Sequence, residues 1–225
     1  MDHEQQISHR LVAEGNRLLN DSGRIADFTG IPGPDRLLND LERCPHAFVI
    51  GSIMDRQIKA ERAWIIPHEL KIRLGSFEFS DLKALSEEQV YVLMNNPRPP
   101  HRFKGTMSKN LHAAIRLIDE RYSGNAANIW AGRPASATVI KRFLEFKGVG
   151  QKISTMATNI LVRWMRVPIS DYPAIDVSAD VQVRRVMVRL GLVSYDPTLD
   201  EVIERARAMN PEFPGVEIWS NPVDE

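Results

Sequence analysis

The 225-residue chain contains only one cysteine, Cys44. A single thiol cannot form an internal disulfide, and it cannot supply the several thiolates of a zinc centre or an iron–sulfur cluster. No apolar run approaches the roughly 18 residues that a membrane-spanning helix needs. The polar N-terminus also lacks the basic and apolar blocks of a signal peptide. These absences predict a cytoplasmic protein without a membrane partner and without an iron–sulfur cluster.

The chain lacks net charge as well, because 29 basic side chains balance 29 acidic ones. Zero net charge argues against a nucleic-acid partner, but the distribution of charge matters more than its sum. Residues 141–192 carry nine basic and four acidic side chains, a local charge of +5. Residues 193–225 carry two basic and eight acidic ones, and residues 1–40 carry four and seven. The neutral total therefore hides a basic centre between acidic ends.

No stretch shows the sustained alternation of a β-strand, whereas apolar residues recur at helical spacing along most of the chain. A central buried helix is predicted over residues 46–58, and a short helix opened by a proline is predicted over residues 34–44. Ser80 and Ser86 are predicted helix caps, and Gln89 completes a capping box with Ser86. Further helices are predicted over residues 5–20, 60–74, 107–122, 135–146, 180–190 and 199–209, with a loop over 169–177.

The most informative segment is FLEFKGVGQKIS, residues 143–154. Gly148, Val149 and Gly150 predict a tight hairpin between two helices, because the turn needs backbone angles that are closed to other residues. Glycine also leaves the backbone bare, so that a phosphate can approach it. The amides of the hairpin and of the next helical turn then form an anion site, which binds DNA phosphate without reading sequence. A Gly-x-Gly turn by itself is most often an ordinary corner between two helices, so the flanking residues decide.

Two further segments extend this pattern into a family resemblance. The hairpin pattern Leu-x-x-x-Gly-Val-Gly-x-Lys-Ile resembles that of the helix-hairpin-helix DNA glycosylases, the superfamily of endonuclease III and 8-oxoguanine glycosylase. The segment ADVQVRRVMVRLGL, residues 179–192, is similar to the family's aspartate segment without a gap. The segment FVIGSIMDRQ, residues 48–57, is similar to the family's early Ile-Leu-Ser-x-Gln helix. The resemblance covers residues 46–192.

The resemblance implies a role for each matched residue. Lys152 falls on the lysine that bifunctional members use as a nucleophile, and Asp180 falls on the catalytic aspartate. Gln57 falls where relatives insert a polar side chain into the DNA stack to fill the gap left by a flipped base. The implied DNA-contacting residues are Gly148, Val149, Gly150, Gln151, Gln57 and Arg185.

The assignment of the aspartate depends on the family match. A carboxylate beside C1′ stabilises the positive charge that develops on deoxyribose as the bond to the base breaks. Aspartate is also a common helix cap, and Asp176 and Asp180 both lie near the start of a predicted helix. By residue type alone the two are equivalent. The match assigns catalysis to Asp180 and leaves Asp176 as the cap.

This chain departs from the family pattern at three places. Lys152 and Asp180 are 28 residues apart, more than in compact members, and the extra residues fit the predicted loop over 169–177. Gln182 stands where many relatives have histidine. The four-cysteine cluster of endonuclease III is absent, so no iron–sulfur cofactor is expected; a monovalent cation at the hairpin is compatible with the resemblance. No spacing of histidines indicates a metal site.

The implied fold is all-α, with two helical lobes, a DNA-binding helix-hairpin-helix and a cleft between the lobes. Residues 46–151 would form one lobe, which includes the hairpin. Residues 1–45 and 152–225 would form the other, which carries Asp180. The cleft would receive the flipped base. The implied partner is double-stranded DNA with a damaged or modified base, and the protein is expected to be a monomer that is associated with the nucleoid when bound to DNA.

Three functions remain open at this point. The first is a bifunctional glycosylase and lyase that uses Lys152. The second is a monofunctional glycosylase in which water is the nucleophile and Lys152 only contacts DNA. The third is a DNA-binding protein without catalysis, which predicts an impaired Lys152 or Asp180, whereas both are intact. Oxidised purines, oxidised pyrimidines, alkylated bases and mismatched or modified bases all fit as substrates.

Overall fold

A computed structural model describes residues 3–21, 25–179 and 181–216 of the chain. These residues form eleven α-helices and two short 3-10 helices, and no strand occurs among them. The predicted all-α fold is therefore confirmed. None of these helices is both long and apolar enough to cross a bilayer. The α-helices are α1 (His3–Asn20), α2 (Pro32–Asn39), α3 (Pro45–Met54), α4 (Ala60–Leu74), α5 (Phe79–Lys83), α6 (Glu87–Asn95), α7 (Lys104–Arg121), α8 (Ser136–Leu144), α9 (Gln151–Arg163), α10 (Val181–Arg189) and α11 (Leu199–Met209).

Helix starts depend on local capping chemistry. The Ser86 Oγ accepts a hydrogen bond from the Gln89 backbone N–H at 3.2 Å, and the Gln89 side chain accepts one from the Ser86 N–H at 2.8 Å. This confirms the predicted capping box of α6. The prediction for Ser80 is wrong, because Ser80 lies inside α5. The Asp81 and Leu82 amides already donate to the Glu78 carbonyl, so the helix begins before Ser80.

The helix predicted over residues 34–44 begins and ends earlier than the pattern indicated. It is α2, which spans Pro32–Asn39. Pro32 fits the first helical turn as well as Pro34 does, because amides in that turn have no intrahelical acceptor to lose. Proline therefore marks the first turn without selecting which residue begins it.

The third helix is buried along its whole length, as its apolar sequence predicts. Gly51 lets α4 approach closely, since a Cβ atom there would lie 2.5 Å from Cε3 of Trp64. Phe28 and Phe48 pack against the same indole, with ring centroids 4.7 and 5.6 Å away. Trp64 is thus a core residue, and α3 is held in one position by packing on both of its sides.

Buried apolar side chains form two clusters. The main core has buried members from Ala26 to Ile175, together with Phe213 and Val216, and it includes side chains of α9. The small cluster is centred on α10 and α11, and α1 packs against it. Its buried members are Val177, Val183, Met187, Leu192, Val202 and Ala206. The division into lobes between residues 151 and 152 stays a prediction.

The segment predicted as a loop, residues 169–177, is not helical. Asp171 attaches it to the first turn of α8, where its Oδ1 accepts hydrogen bonds from the Ser136 N–H at 3.0 Å and the Ser136 hydroxyl at 2.6 Å. Asp176 attaches it to α11 through two hydrogen bonds of 2.7 Å from the Arg207 guanidinium. These bonds hold both ends of the loop against helices.

The interpretation of Asp176 as the cap of α10 is wrong. The first described residue of α10 is Val181, five positions later. The carboxylate of Asp176 instead faces the planar fork of Arg207, whose two donors match its two oxygens. A charged partner from another helix therefore replaces the local capping role.

Candidate functional site

A cavity of 710 Å³ opens between the turn that follows α3 and the hairpin that precedes α9. Asp55 and Gln57 line it from the turn. Residues 148–150 and Lys152 line it from the hairpin and the first turn of α9. The structure thus brings together five residues that the sequence singled out, namely Gln57, Gly148, Val149, Gly150 and Lys152, although 91 residues separate the first two in the chain.

The hairpin depends on Gly148 for its backbone conformation. Gly148 has φ +91°, in the left-handed region, and a Cβ atom there would overlap the side-chain amide of Asn110. Val149 is buried and its N–H donates to the Phe146 carbonyl at 3.0 Å, which closes the turn. The predicted need for glycine is therefore met at Gly148, for reasons of both angle and space.

Gly150 has a different part in the hairpin. Its φ is −108° and its ψ −177°, an extended conformation that any residue adopts, so the argument from closed backbone angles is wrong for this glycine. A Cβ atom at Gly150 would meet nothing within 4 Å. What the residue offers is an exposed, bare backbone at the entrance of α9. This open space is compatible with the predicted close approach of a phosphate to the backbone.

The first turn of α9 is a site of positive potential. Gly150 is its N-cap, and the carbonyl of Gly150 accepts the first intrahelical bond from the Ser154 N–H at 3.0 Å. The amides of residues 151–153 have no acceptor within the helix, and no described side chain caps them. The Gln151 side chain donates to the Thr155 hydroxyl at 3.2 Å, so only its backbone faces the helix end. Unbonded amides and the helix dipole together favour an anion here.

The turn after α3 begins where the helix ends, at Met54 rather than at the predicted residue 58. The Arg56 guanidinium donates to the Gly148 carbonyl at 3.4 Å, which links the turn to the hairpin. Gln57 has φ +56°, a left-handed conformation that costs a non-glycine residue free energy. Its side-chain carbonyl accepts a hydrogen bond from Arg102 at 3.0 Å. Gln57 is therefore exposed at the tip of a turn that is held from both sides.

Asp55 is a member of the cavity wall that sequence reasoning missed. It is half-buried, and burial raises the pKa of its carboxyl, while the positive charge of Lys152 opposes that rise and the negative charge of Glu61 adds to it. The sequence contained one indication of Asp55, because this charged residue directly follows the largely apolar segment that forms α3. That indication did not show which residues would share a cavity with Asp55.

Lys152 is exposed to solvent in this cavity. Within the described part of the chain its ammonium group makes no hydrogen bond or ion pair, and neither does the carboxylate of Asp55. Both groups therefore face the cavity with their polar atoms unbonded to described residues. An amine and a carboxylate in one cavity can bind charged groups of a ligand or transfer a proton. A neutral amine can also attack an electrophile.

Three predicted site residues, Gln151, Asp180 and Arg185, are not among the described residues that line this cavity. Asp180 lies outside the described residues. Arg185 is exposed on α10 and lines a separate cavity of 370 Å³ with Arg189 and Tyr195. Tyr195 is 94% exposed, so this second surface combines arginines with an open aromatic ring. No group of three or more His, Cys, Asp or Glu side chains with the arrangement of a metal site occurs in residues 3–21, 25–179 and 181–216.

Solved structures match this arrangement of helices along most of the chain. A trapped endonuclease III–DNA covalent intermediate matches with a TM-score of 0.55 and 17% identity, over 96% of this chain and 82% of that one. A thermostable thymine-DNA glycosylase matches with a TM-score of 0.54 and 15% identity, over 94% and 82%. The chain has the fold of the helix-hairpin-helix DNA glycosylases. The 8-oxoguanine glycosylase/lyase of Clostridium acetobutylicum shares this glycosylase fold with a TM-score of 0.53 and 15% identity, over 92% of this chain and 67% of that one.

No protein-family model and no curated protein matches the chain. The likeness at 15–17% identity establishes the fold, and the resemblance first recognised in the hairpin and aspartate segments is confirmed at that level. Within this glycosylase fold, the hairpin, Gln57 and Lys152 occupy one cavity.

Proposed function

We propose that this chain is a DNA glycosylase that excises a damaged or modified base, and that Lys152 gives it an associated lyase activity through a Schiff base with C1′. The observation that carries the proposal is the shared cavity on a glycosylase fold. The hairpin with its unbonded amides, the exposed Gln57 with its left-handed backbone, and Lys152, which has no bond to a described residue, meet there.

The hairpin would position the DNA. A phosphate placed before Gly150 is close to the unbonded amides of the first turn of α9, where the helix dipole favours it. Gln57, across the cavity, would enter the base stack and fill the gap that a flipped base leaves. The flipped nucleotide would then lie with C1′ near Lys152. Contacts of this kind read the backbone and position the duplex, while the base pocket selects the lesion.

The reaction would proceed through the amine of Lys152. A neutral amine attacks C1′, the base leaves, and β-elimination from the Schiff base cuts the strand on the 3′ side. Asp180, from its match to the family aspartate, would stabilise the developing positive charge on the sugar. The chemistry needs an amine and a carboxylate and no bound cofactor. The trapped covalent intermediate of endonuclease III and the glycosylase/lyase of Clostridium acetobutylicum support a covalent route on this fold.

The decisive experiment is borohydride trapping on a panel of duplexes, each with one lesion: an oxidised purine, an oxidised pyrimidine, an alkylated base or a mismatch. We expect a covalent protein–DNA adduct with at least one of them, and its loss in Lys152→Gln. Lys109→Gln is the matched control, because Lys109 is an exposed lysine on α7 that does not line the cavity. The control should trap like the parent protein.

The same panel separates the alternatives. Excision by Lys152→Gln, with no adduct in the parent protein, would replace the lyase by a water mechanism. Binding to lesion duplexes without excision by the parent protein would indicate a non-catalytic DNA-binding protein. Asp180→Asn should keep DNA binding and lose excision, whereas Asp176→Asn should keep excision because Asp176 is paired with Arg207. Equal loss of excision in both variants, with folding intact, would contradict the assignment of the aspartate.

A further inference from the structure

The cavity that Arg185 lines is separate from the one with Lys152 and has a volume of 370 Å³. It lies between one face of α10 and the loop before α11. The helix contributes Val181, Val188 and three arginines, whose spacing of three and four residues places them on a common face. Residues 195–197 of the loop form the other side. This surface is named the α10 groove.

The hydrophobic core does not use the α10 groove. The helix packs on the small cluster through Val183 and Met187, which are buried on its opposite side. On the groove side, Val181 is 58% exposed and Tyr195 is 94% exposed. Within the described part of the chain, the Tyr195 ring contacts no other ring and its hydroxyl makes no hydrogen bond. The ring is therefore available to a ligand.

The α10 groove carries a net positive charge. Three arginines and one carboxylate, that of Asp196, line it. Arg184 donates to Asp196 at 3.2 Å, so this pair is neutral as a unit. Arg185 and Arg189 are exposed, and neither makes a hydrogen bond or ion pair with a described residue. Two unpaired guanidinium groups beside an open aromatic ring favour an anionic ligand that also has an aromatic part.

The acidic residues at the start of α11 leave this charge in place. Both carboxylate oxygens of Glu201 are bonded to Ser194, one to its N–H at 2.7 Å and the other to its hydroxyl at 2.9 Å. Neither Glu201 nor Asp200 lines the groove. The unpaired arginines are thus the charges that a ligand in the groove meets.

We propose that the α10 groove binds an unpaired nucleotide of a DNA strand, with the base stacked on Tyr195 and the phosphate bonded to Arg185 and Arg189. Guanidinium groups match the geometry of a phosphate and can bind it in a bidentate manner. A base inside a duplex is covered on both faces by its neighbours, so an open ring on the protein surface stacks only on a base outside the duplex. The apolar side chains of Val181 and Val188 offer no hydrogen bond to a base edge, so binding should tolerate any sequence.

This inference goes beyond excision of a base. It adds DNA with a single-stranded segment, such as a gap or a frayed end, to the partners of the chain. The groove begins at Val181, which follows Asp180 directly in the sequence. Binding in the groove needs neither Lys152 nor Asp180, so its test does not depend on catalysis.

The test is fluorescence anisotropy of the full chain with two labelled probes, a short single-stranded oligonucleotide of mixed sequence and a blunt duplex. Tyr195→Ala should weaken binding of the single strand about tenfold, because the stacked base loses its platform. Tyr195→Phe keeps the ring and should bind like the parent protein. Binding of the blunt duplex should be unchanged in both variants. Tyr91→Ala is the matched control, because Tyr91 is an exposed tyrosine of α6 outside the groove.

The arginines are tested by the salt dependence of the same binding. Arg189→Gln should lower the slope of log affinity against log salt by about 0.7 for the single strand, the value for one phosphate contact. Arg36→Gln should leave this slope unchanged, because Arg36 is an exposed arginine of α2 that does not line the groove.

Several results would overturn the proposal. They are failure of the single strand to bind, equal affinity of the parent protein and Tyr195→Ala, and an equal loss for the single strand and the blunt duplex. Binding of an acidic peptide with aromatic residues that depends on Tyr195, without binding of the oligonucleotide, would assign the groove to a protein partner instead. A protein that neither traps nor excises, but shows the tenfold loss in Tyr195→Ala, would contradict the proposed function and support the nucleotide site.

Discussion

The main core and the small cluster support two different surfaces, the cavity with Lys152 and the face of α10 that carries Arg185. The main core holds α3, α8 and α9, and it anchors the hairpin through Phe143, Phe146 and Val149. The small cluster holds α10, which carries Arg185, through a few side chains such as Val183 and Met187. Because the stability of a segment grows with the apolar area that it buries, the wall with Lys152 should open far less often than α10. We therefore expect the cavity wall with Lys152 to be more rigid than the surface of α10 that carries Arg185.

Removal of Phe143 should have the largest effect. Its ring is fully buried under the hairpin, and Phe143→Ala should lower the free energy of unfolding by about 3–5 kcal/mol. Urea denaturation measures the loss. Hydrogen exchange should show faster opening of the hairpin amides in this variant.

Met187→Ala is the corresponding change in the small cluster. Met187 is also fully buried, but it belongs to the smaller cluster, so its cost should lie near the lower end of about 2–5 kcal/mol. Exchange should accelerate in α10 and α11 and stay slow in the hairpin. Equal acceleration in both regions would mean that the two clusters unfold as one unit.

Gly148→Ala should rank next. The left-handed conformation costs alanine about 1–2 kcal/mol. The overlap with Asn110 adds about 1–3 kcal/mol, because the amide must move within a packed site. Gly191→Ala is the matched control at the end of α10, since Gly191 has φ +69° and open space around it. A Gly191 variant that costs as much as the Gly148 variant would show that the conformation, and not the packing, sets the cost.

Asp176→Asn should have a smaller effect. It removes the charge from a buried carboxylate that accepts two short bonds from Arg207, which is itself half exposed. A loss of about 1–2 kcal/mol is expected in thermal or urea unfolding. Asp196→Asn is the control, because its pair with Arg184 is on the surface, where such pairs contribute about 0–1 kcal/mol. Similar losses in both variants would place Asp176 among ordinary surface charges.

Gly150→Leu should change stability least and DNA binding most. The added side chain enters open space, and a poorer N-cap costs at most about 1 kcal/mol. The same side chain blocks the approach of a phosphate, so affinity for lesion and undamaged duplexes should fall together, with a weaker salt dependence. Fluorescence anisotropy at several salt concentrations measures both quantities. Unchanged binding would restrict the hairpin to a structural role.

Much of the fold could be predicted because its signals are local. Helical periodicity predicted the all-α class, and the Ser86 capping box lies within four consecutive residues. The hairpin and Lys152 belong to one segment of twelve residues, and their relation to one another follows from helix geometry. Gln57 could be placed because the family pattern supplied its register. Local structure of this kind is determined by residues that are only a few positions apart in the chain.

The sequence by itself determined the helices, the hairpin and the residue types that can hold a phosphate or attack a sugar. Only the tertiary structure decided which of them meet. Asp55 and Lys152 are 97 positions apart, and Asp176 and Arg207 are 31 apart, so no local pattern brings them together. Local backbone preferences extend over a few residues, whereas the neighbours of a side chain depend on how α3 and α9 pack in the main core. That packing placed a carboxylate and the lysine in one cavity and gave Asp176 an ion pair in place of a cap.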